Sequence, residues 1–370
     1  MTSERLAEEC AIVDKLVGGH PESWDLAGLI PEKVLRDLGT RGLLCPQIPQ
    51  EYGGIGFDSL STGEFTAHVG SLCSSLRSVM TSQGMAAWTI QRLADIEQRH
   101  QYLAQLASGQ LAAVGFSEPQ AGSDLSAIDT TVRDDGDSVI LTGQKVWMTA
   151  AHYADLLVVF CRYGDDSAAV VVPTSTPGVH VQRVADPLGC RAAGHANVLF
   201  DSVRLPMSNV LGGAKQSLAL LATTALTYGR ISVAWGCVGI LRACLAAASS
   251  HARSRQQFGK PLAEHQLVGR HLAELLASEQ IATRICEHAS RCWDSSSPDM
   301  AVATVLAKHV SASQAVKGAA AAVQVLASAG AQDGHLVARA YRDAKLMEII
   351  EGSTEICQLI LAQHALTASL

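Results

Sequence analysis

Over residues 1 to about 112, apolar residues recur every three or four positions, which places them on one face of a helix. "LIPEKVLRDLGTRGLL" (29–44) and "EQRHQYLAQLASGQL" (97–111) carry this spacing most plainly. Pro31 suits a first helical turn, and Gly39 and Gly109 suit helix ends. The stretch "PQIPQEYGGIGFDS" (46–59), with two prolines and three glycines, predicts a loop.

From about 113 to 210 the pattern shortens into valine-rich runs: "SVILTGQKVWMT", "DLLVVFCR", "AAVVVP", "GVHVQRV" and "ANVLFDSV". Gly, Asp and Pro turns separate them, and Asp135-Gly136 is a hairpin signal. Strands this close, with no helices between them, predict an antiparallel barrel or sandwich. Beyond about 215 the chain is helical and alanine-rich. Long helices are expected in 225–254, 264–293 and 300–330, and another in "HLVARAYRDAKLMEII" (335–350), together a bundle with small residues at close contacts. The expected class is therefore α+β multidomain: an N-terminal helical domain (1–112), a β-barrel domain (113–214) and a C-terminal four-helix bundle (215–370).

Composition narrows the function classes. With 48% hydrophobic and 17% charged residues the chain is an ordinary globular protein, not a disordered one. A net charge of -7 leaves no electrostatic footprint for nucleic acid. Ten cysteines show no C-x-x-C or zinc-finger spacing, so they read as reduced, mostly buried thiols, with no metal site. With no signal-peptide pattern and no apolar run near the ~18 residues that span a bilayer, a cytoplasmic protein without a membrane partner is expected.

Four segments carry candidate chemistry. In "VGFSEPQAGSDLSAI" (114–128), Ser117 and Ser123 supply hydroxyls and Gly122 a bare backbone that suits a phosphate, or all are parts of a capped turn. In "GQKVWMTAA" (143–151), Trp147 and Thr149 point to the same side of a strand, as a planar heterocycle needs; a core tryptophan is the alternative. In "RSRQQFGKPLAEHQ" (253–266), Arg255, Gln257 and Phe258 suit phosphate and ring recognition, or a solvated loop. "KLMEIIEGSTEIC" (345–357) sets Glu348, Glu351 and Glu355 within eight positions.

In order and spacing these segments resemble the FAD-dependent acyl-CoA dehydrogenases over essentially the whole chain. The F-S-E-P-x-A-G-S-D string carries the resemblance most specifically, followed by R-x-x-F-G-K-P with a later Gln and by I-x-E-G-[ST]. The resemblance implies that Phe116 and Ser117 line the flavin ring and that Gly122 and Ser123 meet the pyrophosphate, Ser123 also facing substrate. It places Trp147 and Thr149 over the flavin. It implies that Arg255, Gln257, Phe258 and Gln324 reach the FAD of a neighbouring subunit in a homodimer or homotetramer, and that Ser353 and Glu355 border the cofactor. Where the family has a Gly-Gly pair, this chain has Ala327 and Ser328. An electron-transfer flavoprotein is the implied electron acceptor.

Glu351 aligns with the family's catalytic base, which removes the proton α to a thioester carbonyl. The rival position, used by some members just before an arginine, holds Gly229 here, followed by Arg230. Arg230 and Gly352 are implied substrate-side neighbours of the base; a structural arginine is the alternative for Arg230. Glu348 is expected on a solvated helix face, and Glu355 in a first helical turn, where its charge suits the dipole. "SSLRSVMTSQ" (74–83) resembles the glutaryl-CoA dehydrogenase branch, which implies that Arg77 binds a carboxylate at the far end of the acyl group; a helix-surface arginine is the alternative. The overall character resembles dehydrogenases of polyketide extender-unit pathways, whose short oxygenated acyl groups ride on acyl carrier protein. The alternatives are a short-chain or glutaryl-type acyl-CoA dehydrogenase, a flavin monooxygenase on the same fold, and a scaffold without flavin.

Overall fold

A computed structural model describes residues 3–213 and 216–367. The expected boundary at 214–215 lies outside the described residues. Six helices come first: α1 (Ser3–Val17), α2 (Pro21–Ala27), α3 (Glu32–Gly39), α4 (Ser59–Leu72), α5 (Ser74–Leu93) and α6 (Ile96–Ala107). Pro31 is the N-cap of α3 rather than part of its first turn. Asp95 and Gln98 form a capping box on α6, and the Gln98 amide also donates to the carbonyls of Ser208 and Val210 at 2.8 Å. One side chain thus starts a helix and ties it to the β layer.

The β layer is a curled seven-stranded sheet: β1 (Ala112–Gly115), β2 (Thr131–Asp135), β3 (Ser138–Met148), β4 (Leu156–Tyr163), β5 (Asp166–Pro173), β6 (Val179–Arg183) and β7 (Ala196–Pro206). The Asp135-Gly136 hairpin forms as expected, with Gly136 at φ 66°. Pairing is antiparallel for β2–β3, β3–β7, β6–β7 and β4–β5. Two short pairings are parallel: β1 and β2 share one edge of β4 in succession. β4 is fully buried from Leu156 to Cys161, which is why it reads as an unbroken apolar run rather than an alternating one.

The C-terminal helices are α7 (Leu218–Ser254), α8 (Gln266–Asp294), α9 (Met300–Leu326), α10 (Leu336–Met347) and α11 (Thr354–Thr367). A small hairpin, β8 (Gln256–Gln257) with β9 (Lys260–Pro261), separates α7 from α8. α10 and α11 complete the bundle on α9 and are divided by the turn that carries Glu351. α7 is long and apolar enough to cross a membrane by length and composition, but 72% of its most apolar window is buried within the protein. It is the core helix against which α4, α5 and α9 pack.

Small residues let these helices approach closely. A Cβ on Gly239 of α7 would lie 2.2 Å from the carbonyl oxygen of Ala67 on α4. Gly239→Ala is therefore expected to lower stability by about 1–3 kcal/mol through overpacking, read as a fall in denaturation midpoint. An unchanged midpoint would mean that the α4–α7 crossing is not fixed by this contact.

Candidate active site

The 348–353 turn holds two consecutive residues with left-handed backbone. α10 ends at Met347, Glu351 takes φ 56° and Gly352 φ 91°, and α11 begins at Thr354. A left-handed glutamate costs on the order of 1–3 kcal/mol unless its surroundings hold it. Two buried cations do so. Lys308 on α9 donates to the carbonyls of Gly352 (2.6 Å) and Glu348 (3.3 Å), and Arg230 Nε on α7 donates to the carbonyl of Glu351 (3.1 Å). The Glu351 N–H makes no hydrogen bond among the described residues and remains available as a donor.

Glu351 is half-buried, and its carboxyl lies between α5 and α7. A Cβ built on Gly229 would lie 2.4 Å from Glu351 Oε2 and 2.8 Å from Met85 Sδ. Gly229 therefore makes the room that the carboxyl occupies. Burial pushes the Glu351 pKa up to about 7, against the opposing pull of Arg230, Lys308 and Arg77. Among the described residues the carboxylate makes no direct ion pair with any of the three cations, so desolvation outweighs them.

Arg77 is not a surface arginine: it is 1% exposed. Its guanidinium donates to Thr81 Oγ1 (3.2 Å) and Met347 Sδ (2.8 Å), and its Nε has no partner. A thioether is a weak acceptor, so a full positive charge lies buried without a carboxylate beside it. Arg77, Arg230 and Lys308 together give the site a cationic interior.

A second wall comes from the β layer. Phe116 stacks on Phe160 with ring centroids 4.0 Å apart. The Ser117 carbonyl accepts from Val146 N–H at 2.8 Å. The next residue, Glu118, pairs with Lys145 at 2.7 Å, both side chains being almost fully buried. Burial alone would raise the Glu118 carboxyl, but hydrogen bonds from Asp129 N–H, Lys145 and Thr130 hold it down at about 2. The pair clamps the 116–121 loop to β3. The hydroxyls of Ser117 and Ser123 make no hydrogen bond among the described residues, and a Cβ on Gly122 would meet open space.

Trp147 and Thr149 both adjoin His195, but strand alternation is not the reason. A register shift between Lys145 and Met148 breaks the β3–β7 ladder, and Trp147 sits at φ 55°. Its indole is 55% exposed and lies 5.9 Å from the His195 ring, while Thr149 Oγ1 lies 3.3 Å from His195 Nδ1.

The structure thus gathers Glu351, Gly352, Arg230 and Arg77 around one interior, and Phe116, Ser117, Trp147 and Thr149 on the adjoining β wall. Arg255 caps the end of α7 and Gln257 and Phe258 stand on the exposed β8–β9 hairpin that follows, with Phe258 95% exposed, and Gln324 is exposed on α9. Ala327 keeps a backbone of φ 51° and ψ -128°, a conformation that glycine adopts at no steric cost. Glu348 is a correction to the solvated-face expectation: its side chain is 20% exposed and pairs with Lys345 at 2.7 Å. Ser353 Oγ accepts from Ile356 N–H at 3.4 Å. The Glu355 carboxyl is held low by its own N–H and by the Ser353 hydroxyl, as its place in the first turn of α11 implies.

Sequence reading missed Lys308, His195 and the Glu118–Lys145 pair. Lys308 left a faint signal: it is a lone lysine among buried positions 304, 305, 307, 311 and 312 of an apolar helix. His195, in a short turn before β7, left none. Among the described residues no group of three or more His, Cys, Asp or Glu side chains is placed to hold a metal, and all ten cysteines are free.

Comparison with known proteins follows this geometry closely. The acyl-CoA dehydrogenase N-terminal, middle and C-terminal domain models match residues 6–110, 113–203 and 219–366. The chain is 33% identical over 360 residues to the probable acyl-CoA dehydrogenase YngJ of Bacillus subtilis, covering 95% of this chain and 94% of that one. Among solved structures, FkbI, described as serving biosynthesis of the methoxymalonyl extender unit of the Fk520 polyketide, is 60% identical with a TM-score of 0.94, covering 98% of this chain and 100% of that one. A glutaryl-CoA dehydrogenase from Mycobacterium smegmatis in complex with FADH2 is 26% identical with a TM-score of 0.91, covering 99% and 97%.

Gly229→Ala tests the enclosure of the Glu351 carboxyl. The added methyl displaces it, and if this carboxyl takes part in the chemistry, turnover is expected to fall at least ~10-fold with the fold intact by circular dichroism, since misplacing a reacting group by ~1 Å carries costs of that order or more. Unchanged turnover would show that the carboxyl works from elsewhere.

Proposed function

Because the chain belongs to the acyl-CoA dehydrogenase family, we propose that it oxidises a short acyl thioester, with Glu351 as the base that removes the proton α to the thioester carbonyl. The enzyme is an FAD-dependent oxidoreductase. FAD, when bound, supplies the acceptor for the β hydrogen as hydride. The residues present fit that group. A half-exposed Phe116, an exposed Trp147 indole and the unpartnered hydroxyls of Ser117 and Ser123 offer a planar ring both apolar surface and hydrogen bonds. Gly122 leaves open room for a pyrophosphate. Arg255, Gln257, Phe258 and Gln324 serve the FAD of a neighbouring subunit in a homodimer or homotetramer, which gives the bare Phe258 ring a partner. Ser353 and Glu355 border the cofactor from the start of α11.

The observation that carries this reading is a half-buried carboxyl, its pKa raised to about 7, beside the buried cations Arg77, Arg230 and Lys308. A thioester α-proton is weakly acidic, so a base of raised pKa is better matched to it than an ordinary glutamate. The free Glu351 N–H donates to the carbonyl oxygen as negative charge develops there. Arg230, holding the Glu351 carbonyl, keeps that N–H aimed. Gly352 lets the turn pass close to substrate.

Arg77 supports a reading of the acyl group. A buried guanidinium without a counter-ion is complemented by a carboxylate at the distal end of a short chain. With the 60% identity to FkbI, this favours a short carboxylated or oxygenated acyl group carried on acyl carrier protein for polyketide extender-unit synthesis. The same arginine also suits a glutaryl-type substrate on CoA. Electrons pass on to an acceptor such as an electron-transfer flavoprotein. The free cysteines suit a cytoplasmic setting.

Anaerobic mixing of the yellow holoenzyme with matched thioesters on acyl carrier protein and on CoA tests this. Bleaching of the flavin is expected with the carrier-bound carboxylated group, faster as pH rises through about 7, where Glu351 loses its proton. Glu351→Gln is expected to slow bleaching by ~10²–10⁴-fold. Full bleaching by Glu351→Gln would remove Glu351 as the base, and bleaching by CoA esters alone would remove the carrier-protein reading.

A further inference from the structure

A cavity of about 190 Å³ opens between α4, α5, α7 and the end of α8. It lies on a different face of α7 from the Glu351 carboxyl. Gly229 and Gly236, seven residues apart, face Glu351 and Arg77. Tyr228, Ile231, Ser232 and Trp235 line the cavity, at the i, i+3, i+4, i+7 spacing of the neighbouring stripe. The cavity is smaller than the ~300–1,000 Å³ pockets of drug-sized ligands, so its occupant is a small molecule or a head group.

Its walls are aromatic. Trp88 on α5 and Trp293 on α8 meet with ring centroids 4.6 Å apart at 48°, and Tyr228 meets Trp293 at 6.1 Å and 76°. Three rings tilted against one another form the sides of a box rather than a stack. The Tyr228 hydroxyl donates to Gln47 Oε1 (3.0 Å) and the Trp235 indole N–H to Ser290 Oγ (3.0 Å). These two residues therefore offer the cavity ring surface rather than a hydrogen-bond donor. Arg92 stands 5.5 Å from the Trp88 ring centroid without lining the cavity, so this cluster already receives one cation.

Its mouth is acidic. The exposed Asp58 and Asp294 both line the cavity and converge on the first turn of α4. Asp294 accepts from the N–H groups of Ser59 (2.7 Å) and Leu60 (3.3 Å), and Asp58 from Ser61 N–H (2.7 Å). Neither carboxylate has an ion pair among the described residues, and no Lys, Arg or His lines the cavity. Burial, and to a lesser degree the Asp58 charge, push the Asp294 carboxyl up, a condition that a cation beside it relieves. Thr62, 8% exposed, lines the same cavity, and its hydroxyl has no hydrogen-bond partner. We propose that this cavity binds a small organic cation, its ammonium head against the Trp88, Tyr228 and Trp293 rings and its charge beside Asp58 and Asp294. The ring quadrupole attracts a cation most where water is partly excluded. The two carboxylates repel an anion, and a neutral occupant leaves them unpaired. The assignment is independent of the acyl-thioester reading.

The test is equilibrium binding, which does not depend on turnover. Choline and its neutral isostere 3,3-dimethyl-1-butanol are titrated at low salt into the full-length, FAD-loaded protein, with ligand-observed NMR as the readout. Wild type is expected to bind choline at least ~10-fold more tightly than the alcohol, the worth of a partly desolvated cation–ring contact. Asp294→Asn, which keeps a capping acceptor, is expected to weaken choline and leave the alcohol unchanged. Trp293→Leu, which keeps an apolar wall, is expected to weaken choline ~3-fold or more. Gln91→Glu adds a third carboxylate to the lining and is expected to tighten choline, which keeps the test open should Asp294→Asn fail to fold by circular dichroism. Equal affinity for choline and the alcohol overturns the proposal and leaves an apolar void. So does absence of choline binding at millimolar concentration, or choline affinity unmoved by the folded variants, which places the binding elsewhere.

Discussion

The site depends on two buried cations gripping one turn of backbone. Lys308 and Arg230 reach from α9 and α7 to the carbonyls of Glu348, Glu351 and Gly352, and the turn they hold contains two consecutive left-handed residues. Each contact is a charge-assisted hydrogen bond, stronger than a neutral one, and together they offset the strain at Glu351. The same cations also act on the carboxyl they position. Their fields favour its ionised form, burial favours its neutral form, and burial wins by enough to leave the group near neutrality. Shared use of the cations explains why neither has an ion pair of its own: a carboxylate partner would stabilise the cation but withdraw it from the turn.

That arrangement needs a close-packed frame. Gly229 leaves the space in which the carboxyl sits against α7, and Gly239 lets α4 approach the same helix. The β layer is then fixed against the helices by polar contacts rather than by apolar ones alone. The Glu118–Lys145 pair locks the loop that carries Phe116 and Ser117, and Ser82 bridges α5 to both Val114 N–H and the Thr149 carbonyl. Breaking either buried partner of the Glu118–Lys145 pair would leave a charge stranded, so its role is to hold one geometry rather than to add net stability.

Much of this was legible in the chain. Helix spacing, valine-rich runs and the Asp135-Gly136 turn marked the helix–sheet–helix order, because periodicity reports which face is buried. Glu351 was separable from Glu348 and Glu355 only through the resemblance to the acyl-CoA dehydrogenases, which aligns it with their base and puts Gly229 at the rival position. What stayed hidden depends on long-range contacts. For Arg77 the local pattern left a substrate-binding and a helix-surface reading both open, because its burial comes from Gly236 and Met347, far along the chain. Lys308 and His195 act through partners about 40 residues away or more, at positions where local pattern assigns only a core or a turn. Trp147 and Thr149 come together through a bulge that alternation does not anticipate.

The central claim, that burial within a cationic interior sets the ionisation of Glu351, is tested most directly by titrating that one carboxyl. Infrared difference spectra between the wild type and Glu351→Gln isolate its carboxylate band across pH. A midpoint at about 7 is expected, moving higher in Lys308→Met, where a cation favouring the ionised form is gone. A midpoint in the ordinary glutamate range near 4.5, or one unmoved by loss of Lys308, would contradict the account.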